Sequence, residues 1–298
     1  MTEPELLFVQ CPDAHGGHRM AYWQWGDAGA GHVVVCVHGL SRQGRDFDVL
    51  AQGLCRRATH PLRVVCPDVV GRGRSDWLQD PMGYQIPAYA GDMLALLAQL
   101  KPEVLDWVGT SMGGLIGLVV CGQPGLPLPV PVRRLVLNDV GPAIDWGAIE
   151  RIKGYLGQTG RFDSLEQAAA AMLAISAGFG PIAPLQWLEL CRHMVRPLEG
   201  GGGALTLHYD PAIAVPVGGA TQQSSAQGEA MLWQLYDNIQ ARTLLTRGAE
   251  SDLLTPTTAA AMALRGPKAQ LVEFAGVGHA PMFVATDQVD CVARFLLE

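Results

Sequence analysis

Residues 32–37 read His-Val-Val-Val-Cys-Val, an almost unbroken apolar run closing near Gly39. A strand on a sheet surface alternates apolar and polar side chains, whereas a run without alternation suits a strand covered on both faces. Similar runs recur at 63–66, 105–108 and 134–137. Between them, 46–57, 88–100 and 112–121 have helical character: the first places Phe47, Leu50 and Leu54 at helical spacing, and Pro102 stops the second. Residues 6–10 and 21–25 read as short strands ahead of this series, separated by the turn-rich 12–17. The alternation predicts an α/β protein with a mostly parallel sheet and helices on both faces.

After Asp139 the pattern changes. From about 142 to 228 no buried strand is expected, only helical stretches at 146–156, 164–177 and 185–195 divided by Gly/Pro loops such as 200–203 and 215–219. Alternation resumes with a helix at 229–240, strands at 242–247 and 270–274, and helices at 256–264 and 286–297. The expected organisation is an α/β core formed by 1–141 and 229–298, with 142–228 inserted as a helical lid.

Composition narrows the function. With 28 Asp and Glu against 21 Lys and Arg, the net charge is −7, and no basic stripe forms, which argues against nucleic-acid binding. Nearly half the residues are apolar, enough to order a core. Yet the longest apolar runs, 33–37 and 115–121, fall far short of the roughly 20 residues of a membrane span. The acidic start, Met1-Thr2-Glu3-Pro4-Glu5, lacks the basic and apolar stretches of a secretion signal, so the cytoplasm is the expected location. Seven cysteines without CxxC spacing predict neither a disulfide framework nor a structural zinc site. No metal or organic cofactor is expected, and nothing indicates the oligomeric state.

The segment that carries chemistry is Gly109-Thr110-Ser111-Met112-Gly113, a G-x-S-x-G pattern between a buried strand and a helix. A serine there sits on a sharp turn that projects its hydroxyl beyond the sheet, and only glycines fit beside it. The helix N-terminus aims amide groups at the same point. Ser111 is the expected nucleophile. For the base, His279 lies in a Gly-flanked loop, Phe274-Ala-Gly276-Val-Gly278-His279-Ala-Pro281, after the last strand. His15, His18, His32 and His60 lie in surface-like segments, and His193 and His208 in the insertion.

From about Ala21 onward the chain resembles the α/β-hydrolase-fold enzymes, whose fold is a mostly parallel eight-stranded sheet. Cys36-Val-His38-Gly39-Leu40 is similar to the oxyanion turn of that family. The resemblance implies an oxyanion hole made by the backbone N–H groups of Leu40 and Met112, with His38 holding the loop. Asp68-Val-Val-Gly71-Arg-Gly73-Arg-Ser75 is similar to a structural turn of the family. Gly248-Ala-Glu250-Ser-Asp252-Leu-Leu-Thr255-Pro256 resembles the loop bearing the triad acid. Glu250 and Asp252 compete there, and the family position favours Asp252. Asp139 is the other candidate, because some members take the acid from the end of the strand before the lid. The order Ser111, Asp252, His279 is the one expected of the fold.

This equipment implies a serine hydrolase working through an acyl-enzyme on a small, moderately hydrophobic carboxylic ester or lactone. A serine at position 111 excludes the related dehalogenases and epoxide hydrolases, which need aspartate there. The carbon–carbon hydrolases of aromatic breakdown are the alternative reading; they resemble Gly-Asn-Ser-Met-Gly-Gly, and Thr110 departs from that pattern. A slow ligand-binding sensor on the same scaffold is an alternative of another class. His38, Gly39, Asp139, Tyr209 and Trp233 are the further candidates for substrate contact.

Overall fold

The computed structural model describes residues 3–298. Met1 and Thr2, on which the reading of the N-terminus partly rests, lie outside the described residues. In chain order the elements are β1 (Glu5–Cys11), β2 (His18–Gly26), β3 (His32–Val37), α1 (Asp48–Arg57), β4 (Arg63–Pro67), α2 (Ile86–Leu100), β5 (Val104–Thr110), α3 (Met112–Gly122) and β6 (Val132–Asn138). The insertion follows, with α4 (Trp146–Tyr155), α5 (Leu165–Ile175), α6 (Pro184–Arg192), β7 (Val195–Pro197), β8 (Leu205–Leu207) and α7 (Ala214–Gly218). Then come α8 (Gln222–Asn238), β9 (Arg242–Gly248), α9 (Pro256–Leu264), β10 (Gln270–Phe274) and α10 (Thr286–Leu297).

Among the described residues the main sheet has eight strands in the order β1-β2-β4-β3-β5-β6-β9-β10. β1, β2 and β4 pair antiparallel, and every pairing from β4 through β10 is parallel. The run that opened the sequence is β3, buried at all six positions and flanked by β4 and β5. Side chains alternate across it: Val33, Val35 and Val37 join the core under α2 and α3, while Val34 and Cys36 join the core under α1 and α10. Both faces of the sheet are thus sealed, as the lack of polar alternation requires. No helix among the described residues is long and apolar enough to cross a membrane.

Two features depart from expectation. The insertion contains a small antiparallel pair, β7 with β8, too short to register as a strand pattern. And α8 runs unbroken through 229, so the boundary expected there falls inside a helix. Residues 222–228, Gln-Gln-Ser-Ser-Ala-Gln-Gly, carry no apolar periodicity. They are helical because Thr221 and Ser224 form a reciprocal capping box. Two histidines placed at the surface are instead buried: His18 lies between Asp13 and Asp92, and His32 lies against Asp106.

Close backbone approach sets the register of α3 on the sheet. A Cβ on Gly113 would lie 2.0 Å from the Val37 carbonyl oxygen. In an exposed helix, Gly→Ala stabilises by about 1 kcal/mol. Here the clash is with backbone, which has no rotamer to yield, and the sign reverses. Gly113→Ala is expected to lower the unfolding free energy by about 2 kcal/mol or more in denaturant titration; a stabilised variant would contradict the contact.

Candidate active site

Ser111 sits between the last residue of β5 and the first of α3 with φ 51° and ψ −116°. This left-handed backbone is costly for a residue with a side chain and persists only where the surroundings enforce it. Glycines on either side supply the room: a Cβ on Gly109 would meet the Gly113 carbonyl oxygen at 2.3 Å. The Ser111 N–H donates to the Asn138 carbonyl (3.0 Å), tying the turn to the end of β6.

The Ser111 hydroxyl lies 3.0 Å from Nε2 of His279. Nδ1 of the same ring lies 2.7 Å from Oδ2 of Asp139. A carboxylate only accepts, so Nδ1 carries the proton and Nε2 is free to accept from Ser111. Asp139 is fully buried, and it also accepts from the Gly248 N–H (2.9 Å) and the Ser251 hydroxyl (2.6 Å). It too has a left-handed backbone, φ 53°. The carboxylate is thereby held rigidly in a medium of low dielectric, where its hold on an imidazolium is strongest.

Asp252, the acid expected from the sequence, stands elsewhere. Its carboxylate takes a bidentate pair from Arg151 (2.7 and 2.9 Å), and both side chains are substantially exposed. Glu250 is exposed as well. The structure therefore corrects the expectation: Asp139 at the tip of β6, not Asp252 in the loop after β9, reaches His279. The two strands are neighbours, so their loops approach the same histidine, and spacing along the chain does not reveal which one arrives.

The further candidates separate in the same way. A cavity of about 310 Å3 opens beside Ser111, and His38, Gly39, Leu40, Tyr209 and His279 line it. Tyr155, Phe162, Met172 and Phe179 reach it from the inserted segment. Trp233 does not, because α8 packs along α3 and its ring lies against Tyr236 and under the Arg265 guanidinium (4.2 Å from Cζ to the ring centroid). His38 is buried, donates from Nδ1 to the Gly39 carbonyl (2.7 Å) and accepts the Val69 N–H at Nε2 (2.9 Å). Burial holds its pKa at about 3, so it remains neutral and shapes the loop. Met112, as the first residue of α3, has an N–H without a helical acceptor.

A family model described as the alpha/beta hydrolase family matches residues 34–290. This chain belongs to that family. A 3-hydroxybutyrate-oligomer hydrolase of Cupriavidus necator is 49% identical over 99% of this chain and 98% of its own. A crystal structure of an alpha/beta hydrolase from Novosphingobium aromaticivorans matches with a TM-score of 0.82 at 35% identity, covering 99% of both chains. A putative hydrolase from Rickettsia typhi matches with a TM-score of 0.84 at 26% identity, also over 99% of both.

One residue of this hydrolase carries more than its motif announced. Arg72, within the turn assigned no chemistry, is fully buried. It donates to the Leu40 carbonyl (2.8 Å), the Val70 carbonyl (2.7 Å) and the Tyr89 hydroxyl (3.0 Å), and its Nη2 reaches the Met112 sulfur at 3.6 Å. A single cation thus touches both Leu40 and Met112, the residues expected from the sequence to supply the oxyanion amides. The only sequence-level sign was an arginine inside a Gly-rich turn, which is indistinguishable from a solvated one. As for metals, Cys11, His18 and Asp92 offer ligand atoms within 4.8 Å of one another. However, His18 is hydrogen-bonded at both nitrogens (3.1 Å each), and burial raises the Cys11 thiol far above its usual range. A metal would need the thiolate, so these residues read as packing of β1 and β2 on α2.

The His38 shift has a sign that can be checked. The folded protein keeps this ring neutral while the unfolded chain protonates near pH 6.5, so its contribution is complete above that pH and fades as pH falls toward 3. The stability lost in His38→Gln is expected to be about 1–2 kcal/mol larger at pH 7 than at pH 4.5 in denaturant titrations; a pH-independent difference would contradict the neutral buried ring.

Proposed function

We propose that this alpha/beta hydrolase is a serine ester hydrolase in which Ser111 is the nucleophile, His279 the general base, and Asp139 the orienting acid. The observation that carries this reading is the continuous relay of Asp139 Oδ2, His279 and Ser111 Oγ at 2.7 and 3.0 Å. Ser111 attacks the ester carbonyl as His279 Nε2 takes its proton, and Asp139 stabilises the imidazolium. The oxyanion is met by the backbone N–H groups of Leu40 and Met112, which Arg72 braces from behind. His279 then protonates the departing alcohol, and water activated by the same ring releases the acyl group from Ser111.

The cavity and one relative support a narrower reading of the substrate. A volume of about 310 Å3 lies at the lower end of ligand pockets, which suits a short molecule better than a polymer. The relative at 49% identity spans the whole chain and is named for oligomers of 3-hydroxybutyrate, themselves short chains joined by ester bonds. We therefore assign short oligoesters of a small hydroxy acid as the substrate, with residues 142–221, which end where α8 begins, acting as the lid that supplies much of the cavity wall.

A fluorophosphonate probe is expected to label Ser111, and labelling should vanish in Ser111→Ala and His279→Ala. Asp139→Asn should lower kcat by about 10⁴-fold, because the histidine then takes the wrong tautomer. Asp252→Asn should change kcat by less than about threefold, since it breaks only an exposed pair. Labelling that persists in Ser111→Ala, or equal losses from the two aspartate variants, would sink the assignment.

A further inference from the structure

Arg42 enters the cavity from the loop that also carries Leu40. A Cβ placed on Gly39 would meet Arg42 Cγ and Ser111 Cβ at 3.7 Å each, so the arginine stem and the serine flank the same spot. The guanidinium is fixed from two sides. Nε and Nη2 donate to the Asp46 carboxylate at 2.6 Å each, and the Phe179 ring lies 5.6 Å from Cζ. Burial opposes the charge on Arg42, but the adjoining Asp46 carboxylate more than restores it, and the group stays ionised.

Asp46 occupies only one edge of this fork. Among the described residues, Nη1 donates to no protein group, and it is not one of the polar atoms sealed from solvent without a partner. The second edge, Nη1 with the remaining Nη2 hydrogen, is therefore left for the cavity, whose walls are largely apolar (Leu40, Phe47, Met172, Ile175, Phe179). A rigid planar donor pair in apolar surroundings matches a planar anion.

Resting on the assignment of Ser111 as the nucleophile, we infer that Arg42 binds the free carboxylate of an acid-terminated ester, so that the alcohol released is a hydroxy acid held by its own carboxylate. In a 3-hydroxybutyrate dimer the terminal carboxyl carbon lies roughly four bonds, about 5 Å, from the scissile carbonyl carbon, and Ser111 and Arg42 line the same cavity. Ser111 Oγ bonds to the carbonyl carbon and the ester C–O bond breaks. The departing oxygen takes the proton from His279 Nε2, and the hydroxy acid leaves with its carboxylate still ionised. Water then splits the acyl-enzyme and restores Ser111. The Arg42–Asp46 pair is neutral as a unit, so selectivity comes from the direction of the open edge and has the size of one charged hydrogen-bonded contact.

The test compares kcat/KM for the dimer as free acid and as methyl ester, in the wild type and in Arg42→Met/Asp46→Leu, which removes the pair together and strands no charge. The wild type should prefer the acid. The double variant should lose about 10- to 100-fold on the acid, mainly through KM, and less than about threefold on the methyl ester. Equal losses on both substrates, or none on either, would overturn the role of Arg42 while leaving ester hydrolysis standing. A wild type inactive on both would overturn the parent reading as well. A second measurement needs no variant: free 3-hydroxybutyrate and its methyl ester compete with p-nitrophenyl acetate for the wild-type enzyme. The acid should inhibit at a concentration about tenfold lower or less, and equal inhibition would overturn the inference.

Discussion

The close approach of three backbones at Ser111 is the constraint on which the rest depends. β5 ends, α3 begins, and the end of β3 passes beside both, near enough that Gly113 would carry no Cβ without striking Val37. This crowding forces Ser111 into a left-handed turn and lifts its side chain out of the sheet. It also sets the start of α3 beside the residues that follow β3, so the turn at Ser111 and the segments proposed to supply the charge-stabilising amides share one cause. Arg72 completes the arrangement from below, with its buried charge shared among carbonyls, a tyrosine hydroxyl and a sulfur rather than a carboxylate.

A second set of polar contacts joins the strand tips. Asn138 donates to the Thr110 hydroxyl (3.0 Å) and the Pro281 carbonyl (2.7 Å), and accepts from the Thr246 hydroxyl (2.9 Å). The turn bearing Ser111, the tip of β6, the strand β9 and the loop bearing His279 are thus tied through one amide. Buried side chains of this kind are costly when unpaired and rigid when fully paired, and here two of the bonds restrain the segments that carry Ser111 and His279. Asp139, one residue on, inherits that rigidity.

The inserted segment works on the same site from outside. Its turn at Ala177–Phe179 accepts the Gly278 N–H at the Gly178 carbonyl (2.6 Å), next to His279, and places Phe179 against Arg42. Cavity wall, histidine loop and arginine are therefore in contact with one another. Trp233 stands apart because α8 belongs by its packing to the sheet layer rather than to the cavity.

Periodic and local signals were legible in the sequence. Apolar runs without alternation determined a sheet covered on both faces, since that burial is the only environment in which such strands are soluble. The Gly-x-Ser-x-Gly pattern determined the strained turn on which Ser111 stands, because glycine spacing encodes backbone crowding directly, and a Gly-flanked loop after the last strand marked the histidine whose ring meets it. The carboxylate that meets His279 was not legible. Asp139 and Asp252 both follow parallel strands, and only the adjacency of β6 and β9, with Gly248 donating to Asp139 across 109 residues of chain, places one against the histidine and sends the other to Arg151. The burial of Arg72 and the open edge of Arg42 were hidden for the same reason. Charge identity is written in a residue, but whether that charge is solvated, paired or aimed into a cavity depends on contacts between segments far apart in the chain, and those exist only once the fold has formed.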